Sequence, residues 1–241
     1  MKTETFEQIL ATDPVLSQHQ PFLRSIAKPC VDIRFGGEAP ALHQSRYGGP
    51  ALVPQGFAWP THEMGQYLFL GQIDFAEIAN PPQPLPSSGL LSLFYAYDED
   101  GAINWWEPGY VLGYYWPDTA KLVGMDSPHG DRTAVRKLQF SAGVDIPRHR
   151  YMRKEWPFDP DAVIDLNQKG LFPSDYLLGY PSYYTLAYDP TPKEPGWISL
   201  LTLKSHDEFD WCWHDGDKLM VFIEADKLAA CDFSELRADA G

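Results

Sequence analysis

Cysteine is scarce in this chain: Cys30, Cys212 and Cys231 are odd in number, widely spaced and form no CxxC pair. That excludes a disulfide framework and a cysteine zinc site, and it points to reduced thiols. Long apolar runs are missing too, since the stretch Val111 to Trp116 stops at Pro117, far short of the ~20 residues of a membrane helix. Met1 to Leu10 reads MKTETFEQIL, without the basic flank and apolar core of a secretory signal. The expectation is a soluble cytoplasmic protein. Positive charge is in deficit: 19 Lys and Arg face 33 Asp and Glu, a formal net charge of −14. A field of that sign repels phosphate backbones and attracts basic surfaces, so the charge argues against nucleic acid and for a basic partner protein.

Signatures of catalysis are also wanting. No GxSxG, GxGxxG, phosphate loop or HExxH occurs, and each of those spacings exists because the chemistry requires it. Ser92 and Ser199 lie in strand-like runs, and Cys212 sits between two tryptophans with no basic neighbour to favour its thiolate. Asp98-Glu99-Asp100-Gly101 with Glu107 imitates a calcium loop, but its first ligand position is Ala96 and the residues before it read as strand. This segment is expected to be a turn. His206, Asp207, Asp210, His214, Asp215 and Asp217 crowd another stretch without a metal-ligand spacing, which predicts a polar loop. Neither a metal nor a cofactor is expected, and no catalytic residue is assigned.

What is present is core material: 44% of residues are hydrophobic and 14% aromatic, ample for one interior. Apolar residues at helical spacing over Thr5 to Leu10 and Leu16 to Ile26, broken at Asp13-Pro14, predict short helices over about 3–27. Beyond them Gly and Pro punctuate β-rich segments. Leu68 to Phe75 and Gly89 to Tyr97 predict one buried antiparallel pair, and Trp197 to Lys204 with Lys218 to Glu224 a second. Asp159-Pro160 offers a cap-and-first-turn start for a helix between the halves, and Ala225 to Phe233 a terminal one. The pattern predicts a single α+β domain over 1–241, predominantly antiparallel β with peripheral helices. It is read as an internal duplication, with β-rich halves over about 31–150 and 170–233.

Several motifs carry a resemblance. Gly48-Gly49-Pro50-Ala51-Leu52-Val53-Pro54, Trp59-Pro60, Leu68-Phe69-Leu70-Gly71-Gln72-Ile73-Asp74-Phe75 and Gly89-Leu90-Leu91 resemble the N-terminal pattern of the YwqG-like family (DUF1963). Leu178-Gly179-Tyr180-Pro181, Leu200 to Ser205 and Asp232-Phe233 resemble its later motifs. Trp213-His214-Asp215-Gly216-Asp217 departs from the family's Trp-Gly-Asp pattern, and Thr185 stands near where a glutamine is usual. The resemblance implies a duplicated α+β fold and no established activity. Some members are similar to proteins encoded beside bacterial toxins.

Aromatic residues stand beside acids at Trp105-Trp106-Glu107, Tyr114 to Asp118 and Asp210-Trp211-Cys212-Trp213-His214-Asp215. Adjacent strand residues face opposite ways, so one aromatic of a doublet enters the core while its neighbour stays accessible. Together with the negative charge and the resemblance, this predicts a protein-binding module, an immunity-type inhibitor that covers the basic cleft of a nuclease-like toxin. The residues expected to bind the partner are Asp207, Asp210, Trp211, Asp215 and Asp217. The competing expectation is an enzyme or a small-ligand or metal binder with its site between the halves, using Gln72 and Asp74 beside the Asp207 to Asp217 loop.

Overall fold

The computed structural model describes residues 1–130 and 134–241. Helix α1 (Thr3–Thr12) ends at Asp13, whose Oδ1 accepts the backbone N–H groups of Val15 and Leu16 and so caps the 3₁₀ turn Leu16–His19 that leads into α2 (Gln20–Ile26). Strands follow: β1 (Lys28–Phe35), β2 (Arg46–Tyr47), β3 (Ala51–Pro54), β4 (Gln66–Asp74), β5 (Leu90–Tyr97), β6 (Val111–Trp116), β7 (Leu122–Met125) and β8 (Arg136–Asp145). Asp159 accepts the Asp161 N–H and starts a 3₁₀ turn, Pro160–Val163, that runs into α3 (Ile164–Gln168). The chain then forms β9 (Asp175–Leu178), β10 (Trp197–Lys204), β11 (Lys218–Glu224), α4 (Ala225–Ala229) and β12 (Arg237–Ala240). Among the described residues no helix is long and apolar enough to cross a membrane.

Ten strands make one antiparallel sheet in the order β12-β11-β10-β9-β1-β8-β2-β4-β5-β6, and β3 pairs with β7 beside it. The expected pairs β4/β5 and β10/β11 are both present, each with a register shift, between Phe69 and Gly71 and between Ser199 and Leu201. β1 joins the halves. It pairs with β8 from Lys28↔Asp145 to Phe35↔Leu138 on one side and with β9 from Cys30↔Leu178 to Ile33↔Asp175 on the other. The edges also approach one another, because Tyr115 of β6 stacks on Phe233, just ahead of β12, with ring centroids 5.7 Å apart. A methyl group added at Gly113 would stand 2.9 Å from Leu236. The sheet is thus nearly closed.

Inside it lies a buried cluster with members from Val31 to Ala240, including Leu70, Phe94, Leu177, Leu201, Trp213 and Val221. Burying each such side chain stabilises the fold by about 1.5–3 kcal/mol. A second cluster, built on Phe6, Leu10, Leu23, Val163 and Leu166, packs the N-terminal helices against the 160–168 segment. Two passages between neighbouring strands share a plan. β4 runs into the turn Phe75–Glu77, a left-handed residue (Asn80, φ 51°) and the antiparallel β5, whereas β11 runs into α4, a left-handed Cys231 (φ 56°) and the antiparallel β12.

Candidate protein-binding face

Residues 205–217 leave β10 and return to β11 as a closed loop, tied at its neck by Ser205 N–H to the Asp217 carbonyl at 2.9 Å and by Trp213 N–H to Ser205 Oγ at 2.8 Å. Asp210, His214 and Asp215 all adopt positive φ (54°, 39° and 60°), which Asp tolerates better than most residues. Trp211 and Trp213, two residues apart, turn to the same side and enter the core. Trp211 stacks on Phe209 at 4.5 Å and meets Tyr47 at 5.4 Å, and Trp213 meets Tyr95 at 5.1 Å. Both are 3% exposed.

Two sequence-predicted site residues are therefore corrected. Trp211 is not an accessible anchor, because the loop turns it inward with Trp213 onto Phe209 and Tyr47. Nor is Asp217 a rim charge: its side chain is 9% exposed, Oδ2 accepts the Tyr184 N–H at 3.1 Å, and Oδ1 lies 3.9 Å from Lys218 Nζ. Asp207, Asp210 and Asp215 are exposed.

The second acidic segment arrives from the other half. Asp98 closes the loop after β5 by accepting the N–H groups of Ala102 at 2.8 Å and Ile103 at 2.9 Å, so this calcium-loop lookalike is a turn, as expected. Burial raises the Asp98 carboxyl, but bonds from the backbone of Ala102, Ile103, Asp100 and Gly101 outweigh it and hold the group below the usual aspartate range. Of the doublet that follows, Trp105 packs against the core while Trp106 is 58% exposed. The two loops touch where the Trp105 ring meets His214 at 5.3 Å. Between them is a cleft of about 200 Å³ whose aromatic lining is Tyr95, Tyr97, Trp105, Tyr110, Trp211 and Trp213, with Asp98 and Asp210 in its wall. Met64 is 56% exposed, and an adjoining hollow brings it together with Asp98, Glu99 and Asp100. Chemically the arrangement suits a cation: ring faces attract ammonium or guanidinium groups, and nearby carboxylates add charge.

The other expected polar groups are structural. Gln72 donates from Nε2 to the carbonyls of Leu42 and Gln44, both at 2.9 Å, and Asp74 accepts the Ala76 N–H at 3.0 Å. Neither lines the cleft. His206 is held by Asp175, with Nε2 2.8 Å from Oδ2. Among the described residues no three His, Cys, Asp or Glu side chains are placed to hold a metal ion. Sequence reasoning missed Met64, whose only signal was a large apolar residue in a Gly- and acid-flanked loop.

A model of the family described as Domain of unknown function (DUF1963) matches residues 45–239. The chain belongs to the DUF1963 family. No curated protein matches the chain. The DUF1963 match takes in both loops of the aromatic cleft, and it also takes in β2 through β11 with most of β12.

Proposed function

We propose that this DUF1963 protein binds a basic partner protein through the face made by the 98–107 and 205–217 loops, and that the partner is a nuclease-like toxin whose cleft it covers. One observation carries the reading: two acid-and-aromatic segments from opposite halves of the chain converge on one cation-suited cleft, with Trp106 exposed beside it. A nuclease must attract phosphate, so its cleft is positive and lined by Lys or Arg. Asp98, Asp210 and Asp215 steer such a surface in, a Lys or Arg side chain enters the aromatic cleft, and Trp106 supplies the desolvated anchor first assigned to Trp211. The same reading makes the protein a cytoplasmic one, guarding the cell that produces the toxin. The recurrence of strand, helical turn, left-handed residue and antiparallel strand in β4/β5 and β11/β12 supports descent of the two halves from one duplicated unit.

Co-expression with a basic nuclease toxin from the producing organism tests the reading. Wild type should rescue a host from that protein's toxicity, and Trp106→Ala should rescue poorly while folding normally. Full rescue by both Trp106→Ala and an Asp98/Asp210/Asp215→Asn triple variant would refute it.

A further inference from the structure

A second cleft, of about 470 Å³, opens where the segment after β8 and the segment after β9 meet the 160–168 turn and helix. Its lining includes Arg148, Arg150 and Arg153 against one carboxylate, Asp161, a concentration of positive charge in a protein of net −14. The three arginines are not equivalent. Arg148 is neutralised: Nε donates to Asp145 Oδ1 at 3.0 Å and Nη1 to the Pro173 carbonyl at 2.8 Å. Its Nη2 is also 3.0 Å from that carboxylate, but at an angle too poor for a hydrogen bond.

Arg153 has no such relief. It is 2% exposed, and Nε and Nη1 reach only the carbonyls of Pro147 at 2.7 Å and Pro160 at 3.1 Å. Among the described residues Nη2 meets no acceptor and no carboxylate lies within ion-pairing distance. A buried cation without a counter-charge is costly, and burial pulls the Arg153 pKa down to about 10, with Asp161 opposing at longer range. Tyr183, 2% exposed, also lines the cleft, and its buried hydroxyl lacks a partner among the described residues. Ser182 alongside it accepts from Lys218 Nζ at 2.9 Å. The outer wall is apolar and open, with Tyr184 66% and Ile164 40% exposed.

We propose that this cleft binds a small organic phosphate, its phosphate held by Arg153, Arg150 and Tyr183 and its apolar body laid against Tyr184 and Ile164. The donors come from three separate side chains, which matches the three terminal oxygens of a phosphate monoester better than the two of a carboxylate. The volume is in the range of small-molecule sites, and the protein's overall negative field disfavours a polyphosphate chain. This site uses none of the residues of the aromatic cleft and stands or falls separately from it.

Calorimetric titration of the full chain with phenyl phosphate, inorganic phosphate, benzoate and phenol tests the assignment. Phenyl phosphate should saturate one site with a Kd below about 1 mM, more tightly than inorganic phosphate and by about tenfold or more over benzoate, with phenol not binding. Tyr183→Phe, which removes only the hydroxyl, should weaken binding about fivefold. Arg150→Ala, at an exposed side chain, should weaken it about tenfold, and Trp106→Ala should leave it unchanged. The His149 ring lies 4.2 Å from that of Tyr183, tilted by 35°, and its pKa is lowered by burial and then by Arg150 and Arg153, against weaker opposite effects of Asp189 and Asp217. Bound phosphate should raise that pKa, read by NMR. No saturation by about 10 mM phenyl phosphate, benzoate binding as tightly, or unchanged affinity in both Tyr183→Phe and Arg150→Ala would overturn the proposal.

Discussion

Trp211 and Trp213, buried on either side of the exposed Cys212, show how the course of a loop sets each residue's role. Both rings are core, so Trp211→Ala should cost about 3–5 kcal/mol of stability, measured by urea unfolding. Asp210→Asn and Asp215→Asn, at exposed carboxylates, should stay within about 0.5 kcal/mol of wild type. A binding loss in Trp211→Ala without a stability loss would contradict this assignment. The cysteines divide in the same way. Cys30 is 1% exposed, and burial, then Asp145 and Asp32, push its thiol far above the usual range, whereas Cys212 is exposed. In single-cysteine variants, Cys212 should react with a thiol reagent in the native state and Cys30 only on unfolding.

Among the elements, β11 carries an unusual start. Lys218 is 12% exposed and burial lowers its pKa from 10.5 to about 8, against the opposing pull of Asp217. Between those values the unfolded chain holds more protons than the folded one, so stability should rise with pH across that window, by about 3 kcal/mol at most from this group. Comparing unfolding midpoints at pH 7.5 and 9.5 checks it, and Lys218→Met should remove this increment. β4, β5, β10 and β11 were legible because each is a nearly continuous apolar run buried on both faces. β1 and β8 were not, since Asp32 and Asp145 are buried carboxylates. The Asp145 partner, Arg148, follows the strand, and β1 finds its own neighbours, β8 and β9, only across long stretches of chain. The acidic segments were legible one at a time, and the Trp105-Trp106 doublet divides into a packed and an exposed ring although it lies in a turn and not on a strand. Their convergence was not, because only the nearly closed sheet brings β5 beside the β10–β11 loop. Arg148, Arg150 and Arg153 stood in plain view too, but sequence does not reveal which guanidinium lacks a counter-charge.

At the scale of the molecule, both halves share one interior and one sheet seamed at β1, so near- and far-ultraviolet circular dichroism should report one coincident unfolding transition. Two separated transitions would show that the halves fold apart. The charge of −14 acts at this scale on encounter, while Trp106 acts on residence. The central claim is that the face shared by the 98–107 and 205–217 loops holds a basic partner, and the direct measurement is binding kinetics against a basic nuclease toxin from the producing organism, at low and high salt. Neutralising Asp98, Asp210 and Asp215 should slow association mainly at low salt. Trp106→Ala should speed dissociation and cost about 2 kcal/mol or more. Unchanged association and dissociation rates in both variants would contradict the account.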